Sequence, residues 1–396
     1  MREETCPATG LARDYDHFAT EYVVDPYEFW AALRHHEPVA RSDHHGGFWV
    51  VSRYADIMEA ACDPATFSSR DGTGTPPIPT KLLPIDTDPP LHQKHRKIIN
   101  PSFTPQAVRA QEAEWRALAK ELVAGFPTEG DIELCRSFAI PFPQQVALRM
   151  IGFPDDDRPD LAGWIDDITR LRGIDDEKVG EAAVGVMTRI IERLEERREQ
   201  PRREDLISVL LEGEIDGRPL DDDEQLFSMT LLLLGGLDTT TSAIALALAH
   251  LADHPADRAR LLADPDLLDT AVEEFVRVAT PVQGLGRTVT RDTTLSGCPL
   301  QAGDRVFLLW AAGNRDPEVF DRPDDVVLDR HPNHHLGFGA GPHRCVGSHA
   351  GKLMVKIALQ ELLPWLGDYR ITDELGWVGG ETRGLRHLMV QRVISG

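Results

Sequence analysis

His334-His335-Leu336-Gly337-Phe338-Gly339-Ala340-Gly341-Pro342-His343-Arg344-Cys345-Val346-Gly347-Ser348-His349-Ala350 is the stretch that decides how this chain is read. A single cysteine, Cys345, follows a loop built on Gly337, Gly339 and Gly341, with Gly347 just beyond it. Leu353, Ile357 and Leu363 then carry a helical apolar pattern, so Cys345 is expected where a glycine loop enters a helix. Such glycines let the backbone turn sharply and approach a flat object closely. Phe338 is placed to press an aromatic face beside the sulfur. Unpaired amides and the dipole at a helix start predict a lowered thiol pKa.

A lone thiolate does not suit a structural zinc site, which takes four protein ligands. It suits an axial bond to haem iron, where sulfur pushes electron density onto the metal and favours O–O cleavage. Phe338, Gly339, Gly341, His343, Cys345 and Gly347, at this spacing, resemble the haem-binding loop of the cytochrome P-450 family. The cofactor so implied is heme b (iron protoporphyrin IX), with Cys345 as the iron ligand. Thioether attachment is not expected, because Cys-x-x-Cys-His is absent. Cys6, Cys62, Cys135 and Cys298 read as small buried hydrophobes. An odd total of five cysteines without framework spacing predicts a reducing compartment and no structural disulfide.

The chain has 396 residues, 41% of them hydrophobic, enough for a sizeable core. Lys and Arg number 42 against 65 Asp and Glu, a formal charge of -23. Such a surface repels nucleic acid and anionic lipid and excludes both as expected partners. Met1 to Thr20 is polar and acidic, without a signal-type apolar core. The uncharged runs Gln225–Leu237 and Thr239–Ala252 are each too short to cross a bilayer, and Asp238 separates them. A cytoplasmic protein without a membrane anchor is expected.

Helices are predicted over 25–38, 54–62, 91–100, 105–126, 143–151, 154–173, 177–200, 206–211 and 225–254, and from Asp264-Pro265 to before Pro281. Strands are predicted at 39–41, 48–52, 287–291, 294–296, 305–310 and beyond Trp365. Phe67 to Pro90, rich in Gly, Pro and Thr, reads as an apolar functional loop without a regular element. Asp221 caps the longest helix, with Glu224 completing a capping box. Asn314 to His335 reads as a Pro- and Asp-rich meander. No linker interrupts the chain, so residues 1–396 are expected to form a single mainly α (α+β) domain with small β-sheets. The family resemblance implies the same fold.

Four further constellations bear on chemistry. Gly235, Gly236, Asp238, Thr239, Thr240 and Thr241 interrupt the longest helix, where glycines and successive threonines weaken it. They read as a packing notch or as a groove over a bound group. The cluster is similar to the family's oxygen-activation motif, which implies Asp238 as the acid and Thr239 as the hydroxyl beside bound dioxygen. Glu274 and Arg277 are three apart on one helix and meet. They match the family's structural pair, with Arg330 as a third member; Val326 stands where the family usually has Phe. His92 and Arg96, one turn apart, match with Arg287 and His343 the family's positions for the haem propionates. Lys352, Arg344 and His349 are either a solvated face or a docking patch for an acidic electron donor.

His331, His334, His335, His343 and His349 also crowd Cys345, and zinc is their alternative ligand. The resemblance implies a haem-thiolate monooxygenase that inserts one oxygen atom from O2 into a small to medium apolar organic substrate. No flavin or nicotinamide fingerprint is present, so ferredoxin and ferredoxin reductase are the expected electron donors. Alternatives are a non-catalytic haem-binding or sensor protein and a zinc-dependent hydrolase. The substrate pocket is expected among the 67–85 loop, 155–185, Leu232 to Gly236, Val282 to Leu285 and Gly384-Leu385.

Overall fold

Strand alternation builds one end of the molecule. In the computed structural model, which describes residues 10–78, 80–172 and 174–393, Val39–Ser42 and Phe48–Val51 pair antiparallel around a short turn at His44–Gly46. Arg305–Leu308 runs parallel to Phe48–Val51, and Leu285–Val289 and Phe67–Ser68 complete a five-stranded sheet. Successive side chains point to opposite faces. Val39, Val51 and Leu308 therefore enter one apolar cluster, while Ala40, Val50 and Phe307 enter another with Trp30 and Leu33.

Helices make up the rest, so the fold is mainly α with small sheets. Asp222–Leu237 and Thr239–Asp253 form a central pair with Asp238 at their junction. The Asp221–Glu224 capping box forms as expected. The second half packs on Leu268–Ala279 and Ser348–Leu366 in the largest core. The first half packs on Pro141–Ile151 and Asp176–Arg198 in a second core. The pair is long and apolar enough to cross a membrane, but 61% of its most apolar window is buried inside the fold.

Several elements differ from expectation. The helix predicted over 105–126 breaks at Gln111 into Pro105–Ala110 and Glu112–Ala124. Asp264 caps a 3-10 turn at Pro265–Leu267, and the α-helix starts at Leu268. Phe67–Ser68 is a strand inside the segment read as irregular. Asp131–Glu133 joins Met389–Arg392 and Tyr369–Ile371 in a three-stranded sheet that local pattern did not announce. Cys298 is disulfide-bonded, against the expected absence of disulfides; Cys62, Cys135 and Cys345 are free. Cys6 and Gly173 lie outside the described residues.

Candidate haem-thiolate site

The cysteine loop is held by its own backbone. Cys345 N–H donates to the Phe338 carbonyl at 2.8 Å, and Gly339 N–H to Leu336 at 2.8 Å. Gly339 and Gly341 take φ of 66° and 65°, in the left-handed region that favours glycine. At Gly341 a Cβ would also fall 2.3 Å from the Ala61 carbonyl oxygen. The Ser348–Leu366 helix begins three residues after the cysteine. Cys345 opens onto an internal cavity walled on another side by Gly235, Gly236, Thr239 and Thr240. Its exposed surface is therefore cavity surface, deep within the protein. Burial pushes the thiol above its ordinary pKa, against the Gly347 amide and the cations of Arg96 and Arg344. This reverses the expected lowering, because desolvation outweighs the local donors. A coordinated metal ion deprotonates such a thiol outright.

His92, Arg96, Arg287 and His343 meet on one rim of this cavity. The rings of His92 and His343 lie 4.2 Å apart, and the Nδ1 of each is buried without a hydrogen-bond partner. Ser69 Oγ sits 3.3 Å from His343 Nε2. Burial and the neighbouring Arg96 pull His92 down to about 4. Burial and Arg287 pull His343 down to about 2. Burial and Arg305 lower even the Arg287 guanidinium to about 10. Crowded basic groups with orphaned nitrogens are costly unless an anion joins them. Two carboxylates on the edge of a flat ring would satisfy them, so this donor set fits heme b, whose iron Cys345 would bind as thiolate.

The central helix pair parts at Asp238, whose φ and ψ are -122° and -41°. Thr239 Oγ1 donates back to the Gly235 carbonyl at 3.0 Å and lines the cavity. Asp238 does not join it there. Arg170 Nη2 donates to its two oxygens at 3.0 and 3.1 Å. Arg386 and the Thr382 hydroxyl also contact the carboxylate. The expected acid and hydroxyl therefore lie in different surroundings: Thr239 lines the cavity, and the carboxylate of Asp238, at the break between the two helices, is held by Arg170, Arg386 and Thr382. Arg170, Arg386 and Thr382 went unnoticed in the sequence, since each reaches Asp238 from a distant segment.

Glu274, Arg277 and Arg330 come together in the core beside the loop. Glu274 and Arg277 are fully buried and form a fork, at 2.7 and 2.8 Å. Arg330 Nε reaches both Glu274 oxygens at 3.0 Å. The two guanidinium groups then bind meander carbonyls: Asn314, Pro323 and Asp325 by Arg277, Asp321 and Arg322 by Arg330. Phe320 lies under both cations, 5.1 and 5.9 Å from the ring centre.

Other expectations need correction. The cavity is lined by Leu83, Ile85, Leu232, Val282 and Leu285 as expected, but by Ala147, Met150 and Ile151 rather than by 155–185. Gly384-Leu385 lies elsewhere: Leu385 is buried in the main core, and a Cβ on Gly384 would meet Ser242 Oγ at 2.0 Å. Lys352 is not free for docking, because its ammonium donates to Glu273 at 2.7 Å. His335 shares that carboxylate at 2.9 Å, and among the described residues no group of possible metal ligands forms around Cys345 and its neighbouring histidines.

Fold and loop thus define a haem-thiolate protein. A sequence profile described as Cytochrome P450 matches residues 170–364. The chain is 31% identical to the putative cytochrome P450 126 of Mycobacterium tuberculosis, over 97% of this chain and 98% of that protein. It is 33% identical to the vitamin D(3) 25-hydroxylase of Pseudonocardia autotrophica, over 89% of each. CYP109E1 of Bacillus megaterium, solved in complex with testosterone, superposes with a TM-score of 0.87 at 30% identity, covering 95% of this chain and 100% of that one. The chain belongs to the cytochrome P450 family: it is a haem monooxygenase that carries heme b.

Proposed function

We propose that residues 1–396 act as one haem-binding domain that hydroxylates an apolar molecule of terpenoid or steroid size. The observation that carries this is the lining of the cavity onto which Cys345 opens: Leu83, Ile85, Leu232, Val282 and Leu285 are all aliphatic and offer no side-chain hydrogen bond. Such a wall selects by shape and desolvation, with few polar anchors. Relatives support the size, since one is named for vitamin D(3) and another was solved with testosterone.

Bound heme b supplies the oxygen and electron-transfer chemistry, and the chain supplies placement and protons. Cys345 holds the iron; Phe338, Gly339 and Gly347 shape its loop. His92, Arg96, Arg287 and His343 hold the propionates. Gly235 and Gly236 open the helix wall, and Thr239 offers a hydroxyl at the reacting face. Asp238 feeds protons toward Thr239 from the break between the two helices, where Arg170 and Arg386 hold its carboxylate. Glu274, Arg277 and Arg330 are positioning residues that fix the approach to the cysteine loop. Electrons come from ferredoxin and ferredoxin reductase at the face bearing Arg109, Arg344 and His349. We place the reaction in the cytoplasm.

Titration of the ferric holoprotein with testosterone, vitamin D3 and a monoterpene tests this. A saturable low- to high-spin shift with at least one, and a product carrying one 18O atom from 18O2, is the expected result. No shift and no substrate-dependent NADH consumption with any of the three would overturn the substrate class.

A further inference from the structure

A cluster of possible metal ligands lies in the N-terminal part of the chain. One ligand atom each from Asp16, His17 and His45 lies within 4.8 Å of the others. None of these residues lines the cysteine cavity. His17 is fully buried, and neither of its ring nitrogens has a hydrogen-bond partner. The Thr75 backbone approaches the ring without hydrogen-bond geometry. The ring stacks on Phe307 at 4.9 Å, so its plane is fixed. A buried imidazole with both nitrogens idle is unusual, because such groups are almost always satisfied.

The partners are also placed. Asp16 Oδ1 accepts from Phe18 N–H at 2.9 Å, which fixes the carboxylate. Ser42 Oγ donates to the Tyr15 carbonyl at 2.8 Å and accepts from His44 N–H at 3.1 Å, fastening the two segments together. His45 adopts φ 52°, ψ 35°, in the left-handed region that His, Asn and Asp enter more readily than other non-glycine residues. This turn brings Nε2 to within 2.9 Å of Asp16 Oδ1. His44 Nδ1 stands 3.9 Å from the other oxygen but lies outside the cluster of three. Arg172, the nearby cation, is paired with Glu381 at 2.6 Å.

We propose that Asp16, His17 and His45 bind a divalent transition-metal ion, zinc foremost, with water in the fourth position. Two imidazoles and a carboxylate form a recognised zinc set, and copper and nickel would compete by affinity order. The ion would staple the segment around Asp16 to the His44–Gly46 turn. The test is calorimetric titration of EDTA-washed holoprotein with ZnCl2, with zinc and iron counted by elemental analysis. One zinc per haem iron is expected in the wild type. Asp16→Asn and His45→Asn, the latter tolerant of the left-handed backbone, should weaken binding by more than the roughly 10–100-fold of an outer-shell change. His17→Phe, which keeps the stacking, should do the same; His254→Ala, on a separate surface pair, should not. An unchanged ferrous carbonyl spectrum certifies each variant's fold. No zinc bound by the wild type, or equal binding in Asp16→Asn and His45→Asn, would leave only an Asp16–His45 hydrogen bond and end the proposal.

Discussion

Thr239 and Asp238 are neighbours in sequence and lie in different surroundings, which makes their roles separable. Thr239→Ala removes a hydroxyl at the cavity and leaves the Arg170 and Arg386 contacts of Asp238 in place. Substrate-triggered NADH consumption should continue while product falls and peroxide rises. Unaltered coupling of electrons to product would remove Thr239 from proton delivery. Glu274 is the other residue whose chemistry is sharply defined. Glu274→Gln strands two buried guanidinium groups, and breaking a buried pair costs about 3–5 kcal/mol. The midpoint of urea unfolding should drop accordingly, together with haem retention. A variant as stable as the wild type would show that backbone carbonyls alone satisfy Arg277 and Arg330.

At the level of elements, the cysteine loop separates two glycine constraints. Gly339 and Gly341 share nearly the same φ. A Cβ on Gly339 meets nothing closer than 4.0 Å, whereas on Gly341 it strikes the Ala61 carbonyl. Gly339→Ala should therefore carry only left-handed strain, about 1–2 kcal/mol. Gly341→Ala should cost more and lower the ratio of Soret to protein absorbance. Equal ratios in the two variants would contradict the close approach to Ala61. The same loop was legible in the sequence, as were the Asp221 capping box and the Glu274–Arg277 spacing, because each is written in residues a few positions apart. The Asp131–Glu133 strand was not, since its partner lies at Met389–Arg392. The surroundings of Asp238 were equally hidden: nothing near it in sequence shows that Arg170 and Arg386 await it. The thiol pKa was misjudged for a related reason, as burial is a property of the whole fold and dominates over the helix start.

For the molecule as a whole, the formal charge of -23 makes the Cys345 side an exception. Arg109 and Arg344 are exposed, and both act on the His349 ring together with Lys352. With Lys352 tied to Glu273, Arg109 is a cleaner probe of this face. Arg109→Glu should slow reduction by ferredoxin at low salt. The difference from wild type should shrink near 1 M salt, where the Debye length falls to about 3 Å. A rate that is unchanged at low salt would move electron entry to another face.

The fastening of the meander has a consequence for the protein stripped of its cofactor. Five carbonyls between Asn314 and Asp325 hang on Arg277 and Arg330, and none of these bonds needs the porphyrin. Extraction of haem should loosen the cavity rim, where the Nδ1 atoms of His92 and His343 have no protein partner, before it loosens this stretch. A protease added to the apoprotein should accordingly cut near the 67–90 loop early and spare the chain from Asn314 to Arg330.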